Sequence, residues 1–221
     1  MAIDILKTLL LIVDVQNDFC PGGALGVKDG DKIINPINNL SKIVAGNGGK
    51  VAAVQDWHPL RHVSFASTYK NKNHGETIDT PLVKGQTLWP DHCVHGTSGA
   101  EFHKDLDTKN MTWILRKGIS PDLDSYSAFF ENDRKTPTGL GALTVFFGIN
   151  TIIICGLATD YCVFYSALDA RQLGLKTIIA KDAVCGVDIP EGSVEKSITM
   201  MKAHGVDFIS SSDLVEDIRK W

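Results

Sequence analysis

The sequence predicts one α/β domain spanning residues 1–221, three layers deep, with a mainly parallel six-stranded sheet between two layers of helix. Three observations predict it. Six apolar runs rich in β-branched residues recur along the chain, segments with helical spacing separate most of them, and no linker, repeat or low-complexity tract interrupts the 221 residues. Alternation of this kind favours parallel pairing, because a parallel crossover needs a connection long enough to hold a helix. Strands covered on both faces read as continuous apolar runs, as these do.

TLLLIVDV (8–15) is the first expected strand, followed by a helical pattern in DKIINPINNLSKIVAGNGG and a second strand in KVAAVQD (50–56). Residues 57–110 are rich in histidine and hold little sustained periodicity. A loop of that length inside a compact domain is usually functional, so it is expected to serve a metal or a substrate. Strand and helix then alternate again through MTWILRKG (111–118), TPTGLGALTVFFGIN, TIIICG (151–156) and VFYSALDARQLGL. KTIIAKD (176–182) is a fifth strand, PEGSVEKSITMMKAHG a helix with Pro190 near its start, and VDFISS (206–211) a weaker sixth strand.

Charge and composition exclude several function classes. Twenty-two basic residues against 26 acidic ones give a net charge of −4, with no run of Lys or Arg to track phosphates or an anionic surface. Neither nucleic acid nor membrane is an expected partner. Asp4 and Asp14 bracket the short N-terminal apolar run, which lacks a cleavage site and reads as a strand rather than a signal peptide. No segment approaches the roughly 20 apolar residues of a membrane span. Five cysteines, at 20, 93, 155, 162 and 185, include no C-x-x-C pair, which fits a reducing cytoplasm.

Ligands of open parallel sheets bind beyond the carboxyl ends of the strands. Asp14, Asp56 and Lys117 end the first three runs, and Cys162 lies just past the fourth. Polar residues follow any buried strand, but Asp14 sits between Val13 and Val15, where an uncompensated charge is costly. Lys117 is a candidate partner, in a structural ion pair or a catalytic set. GLATDYC places Cys162 in the first turn of a helix, with Thr159 or Asp160 as candidate N-cap. Unpaired amides and the helix dipole there favour a thiolate, although burial as a plain core residue is the other reading of a cysteine. Asp56-x-His58 in an extended segment points both side chains one way, and His92 of WPDHC would complete a set of two imidazoles and one carboxylate. Such a set suits zinc, iron or manganese and leaves coordination positions open. His62 is expected to ligate, to support a ligand or to lie on the surface.

DVQNDFCPGGAL, QDWHP, WPDHC, DSYSAFF and GLATDYCV, in this order, resemble the nicotinamidases of the isochorismatase-like cysteine hydrolase superfamily, over about residues 8–190. The resemblance implies a doubly wound isochorismatase-like fold and hydrolysis of nicotinamide to nicotinic acid and ammonia in NAD salvage, with pyrazinamide as a further substrate. It implies Cys162 as nucleophile, Asp14 as general base and acid, and Lys117 as the third catalytic member. Asp56, His58 and His92 would hold one divalent metal ion, Zn2+ before Fe2+ or Mn2+. It further implies a cis peptide before Ala158, an oxyanion hole made by the amides of Ala158 and Cys162, and a substrate pocket lined by Phe19, Trp89, Tyr126 and Ala158. A homo-oligomer is compatible with all of this. Two alternatives stay open: another amidohydrolase of the superfamily, and a metal- or thiol-binding module without turnover.

Overall fold

In the computed structural model, which describes residues 3–220, β1 (Thr8–Val13), β2 (Lys50–Asp56), β5 (Trp113–Lys117), β6 (Thr151–Leu157), β7 (Lys176–Cys185) and β8 (Asp207–Ile209) form one sheet. Its order is β5-β2-β1-β6-β7-β8, and every neighbouring pair is parallel. The remaining strands, β3 (Thr77–Ile78) and β4 (Gln86–Thr87), make a small antiparallel pair within the histidine-rich loop.

Alternate residues of each strand feed two cores. Leu10, Ile12, Val51, Ala53, Ile153 and Ile178 pack beneath α1 (Ile34–Gly46) and α5 (Ser211–Arg219), through Ile37, Leu40, Val44, Leu214 and Ile218. Leu9, Leu11, Val13, Val54, Ile152 and Ile154 face the other way, toward α2 (Leu140–Phe146), α3 (Cys162–Gln172) and α4 (Ser193–Ala203). All six residues of β1 are buried. Both faces of the sheet are therefore covered, as a parallel sheet requires.

The expected strands are present, and β7 runs three residues further than its apolar pattern, pairing Leu157 with Cys185 after a register shift near Gly156. That glycine has φ +109°, and a Cβ on it would stand 2.0 Å from Val13 O, so only glycine lets β6 approach β1 here. α5 was not among the expected helices. Its nine residues are too few for a clear period, but Ser210 Oγ accepts from Asp213 N–H and caps it. Among the described residues no helix is long and apolar enough to cross a membrane.

Candidate active site

β1 is flanked by β2 on one side and β6 on the other, so the chain leaves it in opposite senses and opens a crevice at its carboxyl end. Asp14, the next residue, has φ +49° while its N–H still reaches Val54 O at 3.2 Å. Short polar residues tolerate this left-handed conformation better than the valines on either side would. β2 and β5 pair Asp56 directly with Lys117.

These registers bring four reactive groups together. Lys117 Nζ lies 2.9 Å from Asp14 Oδ2, 2.5 Å from Asp56 Oδ1 and 3.5 Å from Cys162 Sγ, and it donates to Ser125 O at 3.0 Å. Asp14 and Lys117 are wholly inaccessible to solvent. Burial raises the Asp14 carboxyl, Lys117 pulls it back and Asp56 pushes it up, with the result at about 7. Burial would raise Asp56 too, but Lys117 and His58 outweigh it and hold that carboxyl well below the usual range. Lys117 remains a firm cation despite its burial, because two carboxylates face it.

For Cys162 the structure corrects the expectation of a depressed pKa. Burial raises the thiol well above its ordinary value, Lys117 opposes this, and Asp14 and Asp56 reinforce it. The cost of a desolvated anion beside two carboxylates exceeds what one ammonium and a helix N-terminus return. The resting sulfur is a neutral thiol beside Asp14, whose carboxylate oxygens accept no well-directed hydrogen bond.

Next to this cluster, His58 Nε2 and His92 Nε2 lie 3.6 and 4.0 Å from Asp56 Oδ2. A parallel bridge between His58 and Val94 docks the WPDHC segment against the end of β2 and so delivers His92. His58 Nδ1 bonds Gly118 O at 2.9 Å and His92 Nδ1 bonds Pro90 O at 2.7 Å. Carbonyls only accept, so both Nδ1 atoms carry hydrogen, and in the neutral rings both Nε2 atoms present lone pairs. His58 Nε2 is buried with no partner. A carboxylate and two oriented imidazoles, with donor atoms within 4.8 Å of one another, fit a divalent cation.

His62 does not lie on the surface. It is fully buried and stacks on His58 with ring centroids 4.1 Å apart. Its Nδ1 meets Ser64 Oγ at 2.7 Å and its Nε2 meets Leu123 O at 3.3 Å, so both nitrogens are engaged. Burial and the neighbouring His58 lower its pKa to about 4.

Over these groups lies a narrow pocket. Phe19, Trp89 and Tyr126 form its walls, and Trp89 Nε1 donates to Tyr126 Oη at 3.0 Å. Leu25, Asp124, Tyr161 and Val187 also line it and were not anticipated. Tyr161, adjacent to Cys162, was within reach of sequence reasoning, whereas Leu25 and Val187 carry no local signal. At the floor, the Leu157–Ala158 peptide is cis. The amides of Thr159, Tyr161 and Val163 donate to Cys185 O and Ala158 O, leaving those of Ala158 and Cys162 without an acceptor among the described residues.

Other supports were also missed. Gln16 Nε2 donates to Asp56 O and Ala100 O, each at 2.8 Å, and Gln16 Oε1 accepts from Asp56 N–H at 2.8 Å, fixing the end of β2. Asp18 Oδ2 accepts from Cys93 N–H at 2.7 Å, beside His92. The N-cap of α3 is Tyr161, without a side-chain cap bond, and not Thr159 or Asp160. All five cysteines are free.

The family model described as the isochorismatase domain matches residues 8–213. The chain belongs to the isochorismatase family. Its isochorismatase fold is shared with a solved nicotinamidase/pyrazinamidase of Acinetobacter baumanii, at 45% identity and a TM-score of 0.89, covering 95% of this chain and 98% of that one. The nicotinamidase of Acinetobacter baylyi is 44% identical over 206 residues, 93% of this chain and 94% of that protein. A pyrazinamidase of Pyrococcus horikoshii, solved in complex with zinc, is 33% identical with a TM-score of 0.76, covering 92% and 99% of the two chains.

Proposed function

We propose that this chain is a metal-dependent nicotinamidase that hydrolyses nicotinamide to nicotinic acid and ammonia through a thioester on Cys162, a step of NAD salvage in the cytoplasm. The observation that carries the reading is the meeting of Cys162 Sγ, Lys117 and the Asp56/His58/His92 donors beneath one aromatic pocket. Pyrazinamide, which shares a ring nitrogen and a carboxamide, falls within the same substrate class.

A thiol and an amide carbonyl are both sluggish, so the site must activate each. Asp14 takes the Cys162 proton as sulfur attacks the carboxamide carbon, while Lys117 stabilises the negative charge passing between them. The charge that develops on oxygen is received by the Ala158 and Cys162 amides, a contribution of about 3–4 kcal/mol per donor. Asp14 returns the proton to the departing nitrogen, which leaves as ammonia, and a thioester remains. Water then gives a proton to Asp14 and attacks the thioester carbon. Collapse of that adduct releases the acid, and sulfur recovers its proton from Asp14. Phe19, Trp89 and Tyr126 hold the ring between them. When bound by Asp56, His58 and His92, a divalent ion, Zn2+ ahead of Fe2+ or Mn2+, offers an electrophilic anchor for the pyridine nitrogen.

The test is ammonia release from nicotinamide by metal-replete protein, with and without chelator, beside Cys162→Ala. Turnover that the variant lacks and that chelator weakens is the expected result. Silence of the wild type toward nicotinamide alongside turnover of another amide would make it a sister hydrolase instead.

A further inference from the structure

Asp160, two residues before the nucleophile, has no part in the chemistry above, yet its carboxylate is the most heavily bonded group of that turn. Its Oδ1 accepts from Val187 N–H at 2.9 Å, and its Oδ2 accepts from Asp188 N–H at 2.9 Å and Ser193 Oγ–H at 2.5 Å. Neighbouring residues repeat the connection. Tyr161 Oη donates to Ile189 O at 2.6 Å, and Thr159 N–H donates to Cys185 O at 2.9 Å. Gly186 is also tightly enclosed, since a Cβ there would stand 2.2 Å from Val194 Cγ2 and 3.1 Å from Asp160 Oδ1.

The segment so held has little apolar anchorage of its own. Ile189 to Gly192 are exposed, while Val187 turns inward, packs against the core and lines the pocket. Three hydrogen bonds to the Asp160 side chain therefore add to core packing in fixing where Val187 stands. Among the described residues Asp160 has no ion-pair partner, and it does not cap α3.

We infer that Asp160 is a positioning residue for substrate selection: it holds Val187 as the wall of the pocket beside the nucleophile turn, and so sets which ring amides fit. This rests on the pocket being the substrate site proposed above. The chemistry gives a clean perturbation. A carboxylate accepts all three donors, whereas an amide of the same shape must turn its NH2 toward at least one of them. Asp160→Asn thus replaces an acceptor by a donor facing a donor, without changing volume and without touching Cys162, Lys117 or Asp14.

In Asp160→Asn, KM for nicotinamide should rise about tenfold while kcat stays within about twofold, the pattern of lost uniform binding. Discrimination against a bulkier ring, measured with 5-methylnicotinamide, should fall in the same variant. A merely structural role would lower the folded fraction and leave both ratios unmoved. A second readout needs no turnover: mass-spectrometric rates of Cys162 modification by methyl methanethiosulfonate and by N-phenylmaleimide. The rate ratio should shift toward the bulky reagent in Asp160→Asn and in Val187→Ala, and Asp160→Asn should add little in the Val187→Ala background, because the two act as one unit. Ser193→Ala, which removes one donor and no charge, serves if the asparagine variant folds poorly, and should shift the ratio in the same direction. Unchanged KM and reagent ratio in a folded variant, or full additivity with Val187→Ala, overturns the assignment. Wild type inert toward nicotinamide defeats the functional reading instead, and the reagent ratios still decide the role of Asp160.

Discussion

Lys117 Nζ stands 2.5 Å from Asp56 Oδ1, so the cation beside the proposed nucleophile also neutralises a proposed metal ligand. The triad and the donor set meet at this contact and cannot be perturbed independently through Lys117. Lys117→Met would leave Asp14 and Asp56 buried side by side without their counterion. Stability should drop by about 3–5 kcal/mol, and kcat/KM by at least about 100-fold. Urea denaturation of the variant within 1 kcal/mol or so of wild type would show that the ammonium is dispensable to the fold.

The pH dependence follows from Asp14. Its carboxyl, raised by burial to about 7 from an ordinary 3.8, must be ionised to accept the thiol proton, so kcat/KM should rise with pH through about 7 and level off above it. For stability the sign is opposite. The folded state holds this proton more tightly than the unfolded chain, so the contribution is fully present below about 4 and is lost as pH rises through about 7. Asp14→Asn should abolish turnover and flatten the stability profile across that window. An unaltered slope from pH 4 to 7 would assign the effect to another group.

His58 and His62 are stacked but differ in what their nitrogens do. His58→Ala removes a free Nε2 and should leave protein that retains no stoichiometric ion after gel filtration. His62→Phe keeps the stack and should retain one ion per chain, with affinity lowered no more than about tenfold. Loss of the ion from the phenylalanine variant, measured by plasma mass spectrometry, would make His62 a ligand.

Gly118→Ala should damage the donor set from outside it. The residue has φ +61°, and a new Cβ would stand 2.4 Å from His58 Cε1 and 2.7 Å from Nδ1. Displacing that ring from Gly118 O should weaken zinc binding about 10- to 100-fold and cost about 1–3 kcal/mol of stability. Zinc titration with a competing chelator reads the first quantity and thermal melting the second.

The sheet was legible because buried parallel strands leave continuous apolar runs, and Asp14 stood out because it interrupts one. Asp56, His58 and His92 were legible as a candidate set through residue type, although only the bridge from His58 to Val94 explains how His92 arrives. What escaped depends on bonds between distant segments. Gln16 reaches Ala100 across 84 residues, and Asp160 reaches Ser193 across 33, neither of which leaves a local period. Asp160 looked like a helix cap because caps and loop anchors use the same side chains. The thiol went wrong for a different reason: helix position was visible in the sequence, whereas the depth of burial was not.

The central place of β1 has a bearing on biosynthesis. Asp14, Asp56, His92 and Lys117 all emerge from the ribosome before β6, yet the strand that pairs with the second edge of β1 is β6 itself. A nascent chain ending in the α2 region would hold the donor set but expose one edge of its most apolar strand, a surface inviting wrong partners. Closing that edge and delivering Cys162 happen within the same few residues of synthesis. Cys162 therefore reaches Asp14 only once β1 is paired along both of its edges.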